Sequence, residues 1–206
     1  MLGLALRLEE AEDGPFLREL YALTRAEEMA ALPWDRAHKD AFLRMQFEAQ
    51  TLHYHRAYPE AAFQIVLVNG CPAGRLYVHR GDDEIGLIDI SLLPEYRRRG
   101  IGSELLRALL TEARRLGRRM TLHVERRNPA LRLYERLGFR QLADEGLYLL
   151  MEWRADDVSG KLTIPTAGAR SRREAPGNSG VAAVASRMLC SVGSSPNETR
   201  RKEGQA

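Results

Sequence analysis

Residues 92–103 read Leu92-Leu93-Pro94-Glu95-Tyr96-Arg97-Arg98-Arg99-Gly100-Ile101-Gly102-Ser103. They link an apolar, strand-like segment at residues 85–92 to a strongly helical one at residues 103–116. Glycines let a backbone approach an anion closely, and the free N–H groups at the start of a helix point toward it. The helix dipole adds about half a positive charge there, and three arginines add full charges. This loop is therefore predicted to bind a pyrophosphate.

The two familiar nucleotide-binding loops are not present here. A dinucleotide site has the spacing G-x-G-x-x-G, and a nucleoside-triphosphate site has G-x-x-x-x-G-K-[ST]. Leu105 stands where the third glycine of the first motif would be, and no Gly-Lys-Ser/Thr occurs in the chain. What remains is Arg97-x-x-Gly100-x-Gly102 after a strand that ends at Pro94.

A second informative segment lies about 25 residues further on. It reads Asn128-Pro129-Ala130-Leu131-Arg132-Leu133-Tyr134-Glu135-Arg136-Leu137-Gly138-Phe139. Together the two segments resemble the GNAT N-acetyltransferases. In that family [RQ]-x-x-G-x-[GA] holds the pyrophosphate of acetyl-CoA, and an N…Y…G-F segment lines the pantetheine arm and the thiol. The resemblance covers residues 4–153.

Apolar patterning and turn residues predict the order β-α-α-β-β-β-α-β-α-β-β, an α/β (α+β) fold. The strands are placed at residues 2–8, 63–68, 75–80, 85–92, 120–125, 139–142 and 147–153. The resemblance implies a mixed, mostly antiparallel seven-stranded sheet flanked by helices, whose fourth and fifth strands splay apart around the cofactor arm. Residues 1–153 are predicted to form the N-acetyltransferase domain. Residues 154–206, rich in Gly, Ser, Ala, Pro and Arg, are predicted to form a disordered basic tail.

The resemblance also implies which residues bind the cofactor. They are Leu92, Leu93, Arg97, Arg98, Arg99, Gly100, Ile101, Gly102, Ser103, Asn128 and Tyr134. The backbone amides of residues 98–103 would take the pyrophosphate, and Arg98 and Arg99 either reach the 3′-phosphate or face water. Leu92 and Leu93 would offer main-chain groups, including an N–H that stabilises the tetrahedral oxyanion. Asn128 would hydrogen-bond the pantetheine or cap the next helix.

The resemblance makes Tyr134 the general acid that protonates the departing thiolate, a role that suits a phenol with a pKa near 10. The general base is left among four candidates, Glu84 and Asp89 of the fourth strand and His123 and Glu125, which share one face of the fifth. A base is needed because an amine with a pKa of about 10.4 must lose a proton, at a cost of about 4–5 kcal/mol at neutral pH. Side-chain alternation along the strand predicts that Glu84 and Asp89 point to opposite faces.

Charge and composition limit which binding partners and which location are expected. Residues 154–206 carry a net charge of +4 whereas residues 1–153 carry −1, so the folded part lacks the general positive charge of a polyanion-binding protein. We expect no nucleic acid, and no membrane because no run approaches the ~20 apolar residues of a span. Residues 1–8 are too short for a signal peptide, which predicts a cytoplasmic location. We expect no metal, because Cys71 and Cys190 lie far apart and His53 and His55 cannot face one ion from a helix.

The resemblance thus implies an N-acetyltransferase that uses acetyl-CoA as cosubstrate, by direct attack of a primary amine in a ternary complex. A small-molecule acceptor is favoured, and a protein N-terminus or a lysine side chain stays open, as do a longer acyl chain and a homodimer. Two functions of other classes also remain: a non-catalytic acyl-CoA-binding regulatory module, and nucleic-acid binding through Arg97, Arg98, Arg99 and the tail.

Overall fold

The computed structural model describes residues 3–155, so nearly all of the predicted basic tail lies outside the described residues. The strands are β1 Leu4–Leu8, β2 Ala62–Val68, β3 Cys71–Arg80, β4 Glu84–Leu92, β5 Arg119–Glu125, β6 Arg140–Glu145 and β7 Tyr148–Trp153. The helices are α1 Gly14–Thr24, α2 Ala26–Ala30, α3 Arg36–Ala57, α4 Ile101–Leu116 and α5 Leu131–Arg136. The predicted element order is confirmed, with the short helix α2 as an addition.

The strands form one open seven-stranded sheet in the order β1-β2-β3-β4-β5-β7-β6. Every neighbouring pair is antiparallel except β4 and β5, which run parallel. The mixed, mostly antiparallel sheet expected from the resemblance is therefore confirmed. None of the helices within residues 3–155 is both long enough and apolar enough to cross a bilayer.

Helices cover both faces of the sheet. Leu105, Leu106 and Leu109 of α4 are buried in the larger core with apolar side chains of β2 to β5 and β7. Their spacing of three to four residues puts one apolar stripe of α4 on the sheet. On the other face, Leu17 of α1 and Phe47 of α3 share a smaller core with the strands. We call this second side of the sheet the α3 face.

Local sequence signals account for the ends of several elements. Asn69 and Gly70 both have positive φ, 52° and 82°, which gives the tight turn between β2 and β3 that the Asn-Gly pair predicts. The Asp35 carboxylate accepts a hydrogen bond of 2.9 Å from the His38 amide and caps α3. Gly138, with φ of 93°, lies just after α5, as predicted for a left-handed C-terminal cap.

Strands β4 and β5 separate partway along their length. They pair only from Glu84 opposite Arg119 to Leu87 opposite Leu122. Beyond Leu122 the rest of β5 pairs with β7 alone, and the rest of β4 pairs with β3 alone. The splay expected from the resemblance is thus present, and it leaves one edge of each strand without a strand partner.

A bulge in β4 corrects the prediction that Glu84 and Asp89 point to opposite faces. Tyr77 of β3 lies opposite Asp89, and Val78 lies opposite Leu87, so Ile88 is an extra residue with no partner. An extra residue reverses the alternation of side chains beyond it. Asp89 therefore lies on the α3 face, the same face as Glu84.

Candidate active site

The start of α4 offers a set of unbonded backbone amides. Arg98 and Gly100 have positive φ, 59° and 85°, and α4 begins at Ile101. The first backbone hydrogen bond of the helix runs from the Glu104 amide to the Gly100 carbonyl, at 2.9 Å. No backbone acceptor within the described part of the chain bonds the amides of residues 98–103. Such a run of free N–H groups at a helix N-terminus is suited to an anion.

The three arginines of the loop differ in their surroundings. Arg97 donates from Nε to the Leu92 carbonyl at 2.8 Å, so its side chain ties the loop to the end of β4. The Arg99 guanidinium lies over the Tyr96 ring, 5.9 Å from its centroid. Arg98 and Arg99 are exposed, which leaves their charges accessible to a phosphate. Arg97 therefore has a structural contact, whereas the guanidinium groups of Arg98 and Arg99 are exposed.

The backbone amides of Leu92 and Leu93, at the end of β4, differ in their hydrogen bonding. The Leu93 amide donates to the Ala73 carbonyl of β3 at 2.9 Å, so it is engaged and does not offer the predicted N–H. Because backbone N–H groups alternate in direction along a strand, those of Ile90 and Leu92 point the other way, into the splay. The sequence did not indicate a role for the Ile90 amide, because the direction of its N–H depends on the register between β4 and β3.

Tyr134 of α5 is 6% exposed and packs edge-to-face on Phe139, with ring centroids 5.8 Å apart. Burial raises the pKa of its phenol, and the negative charge of Asp89 raises the pKa further. The hydroxyl has no hydrogen-bond partner among residues 3–155. Tyr134 is therefore protonated at neutral pH and has a proton to donate.

Asn128 is exposed and precedes α5. Its Oδ1 accepts a hydrogen bond of 2.9 Å from the Ala130 amide, so the side chain caps the turn into the helix. The amide NH₂ of the same side chain is left for a ligand. The capping role and the pantetheine role are compatible.

Glu84 does not lie at the end of the splay. It begins β4, within the part paired with β5, and binds the Arg119 guanidinium at 2.8 Å. At about 3.3 Å per residue, it is roughly 26 Å from Leu92 at the other end of the strand. The prediction of Glu84 as general base is therefore not supported by its position.

Asp89 lies beside the splay but is held by three neighbours. It pairs with Arg75 at 2.7 Å, accepts from the Ser91 hydroxyl at 2.7 Å, and lies 3.4 Å from the Tyr54 hydroxyl. Arg75 is 3% exposed and also donates to Gln50 of α3 at 2.8 Å. Asp89 is the counter-ion of a buried guanidinium, and both of its carboxylate oxygens already have partners. Asp89 thus has a structural contact that the sequence-based prediction did not include.

His123 is the third candidate and follows Leu122, the last residue of β5 that pairs with β4. Its side chain is 7% exposed, and Nε2 lies 3.4 Å from a carboxylate oxygen of Glu145. Burial lowers the pKa of the imidazole, and the carboxylates of Glu145 and Glu84 partly offset this. His123 is therefore neutral at neutral pH and able to accept a proton.

The α3 face carries many polar atoms that lack partners. Within the described residues, the buried side-chain atoms without a hydrogen bond are Gln46 Nε2, His53 Nε2, Tyr58 Oη, Arg75 Nε, His79 Nδ1 and His123 Nε2. They belong to α3, to the residue that ends it, and to β3 and β5. Buried polar groups usually have partners, so this side of the sheet is suited to water or a polar ligand. No group of three or more His, Cys, Asp or Glu in residues 3–155 is placed to hold a metal ion.

Comparisons with known proteins agree with this geometry. The model of the Acetyltransferase (GNAT) family matches residues 19–139. The PaiA N-acetyltransferase from Thermoplasma acidophilum, solved in complex with coenzyme A, is 18% identical with a TM-score of 0.56, covering 74% of this chain and 99% of that chain. An acetyltransferase from Thermus thermophilus is 20% identical with a TM-score of 0.54, covering 73% of this chain and 96% of that chain. At these identities the structures show a shared fold. No curated protein matches the chain significantly.

Proposed function

This chain belongs to the GNAT acetyltransferase family, and from that premise we propose that it transfers the acetyl group of acetyl-CoA to a primary amine of a small molecule. The amine attacks the thioester directly in a ternary complex. The observation that carries the proposal is the splay between β4 and β5, which opens beside the unbonded amides at the start of α4.

The cofactor would lie along the open edge of β4. Its pyrophosphate takes the amides of residues 98–103, and the exposed Arg98 and Arg99 neutralise the phosphates. The pantetheine arm then runs inward, where the Leu92 amide and the free NH₂ of Asn128 are available to its carbonyls. Because the arm enters from the α4 end, the thioester carbonyl reaches the deeper Ile90 amide. An N–H fixed there contributes a few kcal/mol to oxyanion stabilisation.

The residues around the thioester supply the proton transfers. Tyr134, kept protonated by burial, donates to the departing thiolate. We assign proton acceptance to His123, because Glu84 lies in the paired part of the sheet and Asp89 neutralises Arg75. Direct attack needs no covalent enzyme intermediate, and neither cysteine lies in the two motifs.

The acceptor would approach from the α3 face. The Tyr54 hydroxyl of α3 lies 3.4 Å from Asp89, so the helix covers this face close to the end of β4. An acceptor that binds beneath this helix would fit there better as a compact amine than as an extended peptide. Arg75, which pairs with Asp89 and whose Nε lacks a partner, favours an acceptor with hydrogen-bonding groups in addition to the amine.

The test is thiol release from acetyl-CoA by the full chain with a panel of amines: small polyamines and amino sugars, peptides with a free N-terminus, and peptides with an internal lysine. We expect turnover with a small amine and a fall of about 10²-fold or more in kcat for Tyr134→Phe, with binding of CoA retained. Tyr58→Phe is the matched control, since Tyr58 contacts His79 near the opposite end of β4. Binding without turnover for every amine would indicate a non-catalytic acyl-CoA-binding module.

A further inference from the structure

We propose that Glu145 is a positioning residue for His123, forming with it a carboxylate–imidazole pair on the α3 face. In this pair Glu145 holds the proton of His123 on Nε2, so that Nδ1 accepts the proton of the acceptor amine. The catalytic part of this inference rests on the proposed function, whereas the pair itself can be tested without turnover.

The register of the sheet places the two residues together. His123 of β5 lies opposite Leu150 of β7, and Glu145 of β6 lies opposite Tyr148. Leu149 is buried in the larger core, on the side of the sheet that α4 covers. Side chains alternate along a strand, so Tyr148 and Leu150 point to the α3 face, as do Glu145 and His123 opposite them. The two side chains therefore meet across β7, with Nε2 and the carboxylate oxygen 3.4 Å apart.

The two ring nitrogens of His123 have different surroundings. Nε2 is fully buried and, at 3.4 Å, lies just beyond hydrogen-bond distance of Glu145. Nδ1 also has no hydrogen-bond partner within residues 3–155, but unlike Nε2 it is not fully buried, so solvent reaches it. A carboxylate beside one nitrogen and an open second nitrogen is the arrangement that fixes an imidazole as a base. Catalytic hydrogen bonds are often long without substrate and shorten when charge develops.

The charges around His123 favour a neutral imidazole that can become charged during the reaction. Burial lowers its pKa, while the carboxylates of Glu145 and Glu84 raise it. The titratable groups on the α3 face of the surrounding strands are Arg140 and Glu145 on β6, Tyr148 and Glu152 on β7, Glu84 and Asp89 on β4, and Arg119 and Glu125 on its own strand. Glu152 pairs with Arg119 and Arg154. Arg119 neutralises Glu84, and Arg75 neutralises Asp89. Glu145 is therefore the carboxylate best placed to stabilise the imidazolium.

The transfer joins one amine to the acetyl group and releases one thiol. The acceptor ammonium gives one proton to His123 Nδ1, and the freed nitrogen lone pair forms a C–N bond with the thioester carbonyl carbon. The C–S bond breaks, its electron pair leaves with the sulfur, and Tyr134 protonates that thiolate. The second proton of the new amide nitrogen returns to the Tyr134 phenolate through water, and the imidazolium releases its proton to solvent. The products are an N-acetylamine, CoA thiol and one proton.

The first arm of the test is an NMR titration of the histidine side chains in the full chain, with His123 assigned by the resonance lost in His123→Asn. We expect the Nε2–H tautomer, and a pKa of His123 that falls by about 1 unit in Glu145→Gln, because the carboxylate that raised it is gone. Glu125→Gln is the matched control, the same neutralisation on the strand of His123, and should give a much smaller shift. An unmoved His123 titration in Glu145→Gln would overturn the proposal.

The second arm uses the best amine of the panel. Glu145→Gln should lower kcat by about 10- to 100-fold and move the acidic limb of the kcat/KM profile to lower pH, with KM for acetyl-CoA unchanged. Glu145→Asp should restore part of the rate. A lower melting temperature with an unmoved limb would indicate a structural role and overturn the proposal. Absence of turnover in a wild-type chain that binds acetyl-CoA would refute the proposed function and the catalytic role of the pair, while the titration still decides whether the pair exists.

Discussion

Ser103 provides a perturbation whose effects on stability and on cofactor binding have opposite signs. It lies in the first turn of α4, two residues after the helix begins at Ile101. In Ser103→Asp, a carboxylate near the positive end of the helix dipole should stabilise the fold by about 0.3–1 kcal/mol. The same carboxylate would stand about 5 Å from a bound pyrophosphate. At an effective dielectric of about 20, this repulsion is on the order of 3 kcal/mol, or roughly 10²-fold in Kd.

The assays are calorimetric titration with acetyl-CoA and thermal unfolding of the full chain without ligand. Ser103→Asn is the matched control, because asparagine has the shape of aspartate without its charge and should bind acetyl-CoA within about threefold of wild type. We expect Ser103→Asp to melt at an equal or higher temperature and to bind about 10²-fold more weakly, with the difference shrinking at high salt. Binding by Ser103→Asp equal to that of the control would refute the placement of the pyrophosphate at the start of α4.

Three further predictions concern the fold. Asp89→Ala leaves the buried Arg75 without its counter-ion and should lower the free energy of unfolding by about 3–5 kcal/mol in urea denaturation; a loss under 1 kcal/mol would contradict the assigned role. Gly100→Ala should lower the free energy of unfolding by about 1–2 kcal/mol because φ is 85° there. The backbone angle is the whole cause, since an added methyl group meets no neighbour. The hydrogen bond from Arg7 lowers the pKa of Asp13, so its stabilisation is present above about pH 4 and is lost as pH falls through the lower folded value. Unfolding of Asp13→Asn should show a weaker acid dependence than wild type, and an unchanged acid limb would exclude this pair as a source of it.

The parts of the fold that follow from local sequence were predictable. Leu105, Leu106 and Leu109 mark one face of α4, and Asn69-Gly70 sets a hairpin turn regardless of what surrounds it. The glycine-rich loop before α4 was predictable for the same reason, because its unbonded amides result from the local change from strand to helix. These features depend on neighbours in the chain, so periodicity and turn chemistry are sufficient.

The features that depend on pairing between strands were not predictable. The apolar positions of β4 do shift where Leu87 and Ile88 stand side by side. Only the register with β3, however, shows that Ile88 is an extra residue and that Asp89 lies on the α3 face. The contact between His123 and Glu145 likewise needs the register of three strands. A signal for the buried ion pair did exist: Arg75 interrupts the apolar part of β3, and a buried arginine requires a counter-ion.

The predictions on residues 154–206 stay open, since the described residues end at 155. The general acid Tyr134 and the cofactor residues likewise stay predictions, now with positions that make them testable. Among the base candidates, geometry favours His123, because it combines burial, a depressed pKa and a nearby carboxylate at the point where β4 and β5 separate.

The most direct measurement is calorimetric titration of the full chain with acetyl-CoA, beside desulfo-CoA and ATP at the same ionic strength. The structure predicts micromolar binding of both CoA compounds and at least about tenfold weaker binding of ATP, which lacks the pantetheine arm that the splay would hold. If acetyl-CoA does not bind to the folded chain, or if ATP binds equally well, the splay and the amides at the start of α4 are not an acetyl-CoA site.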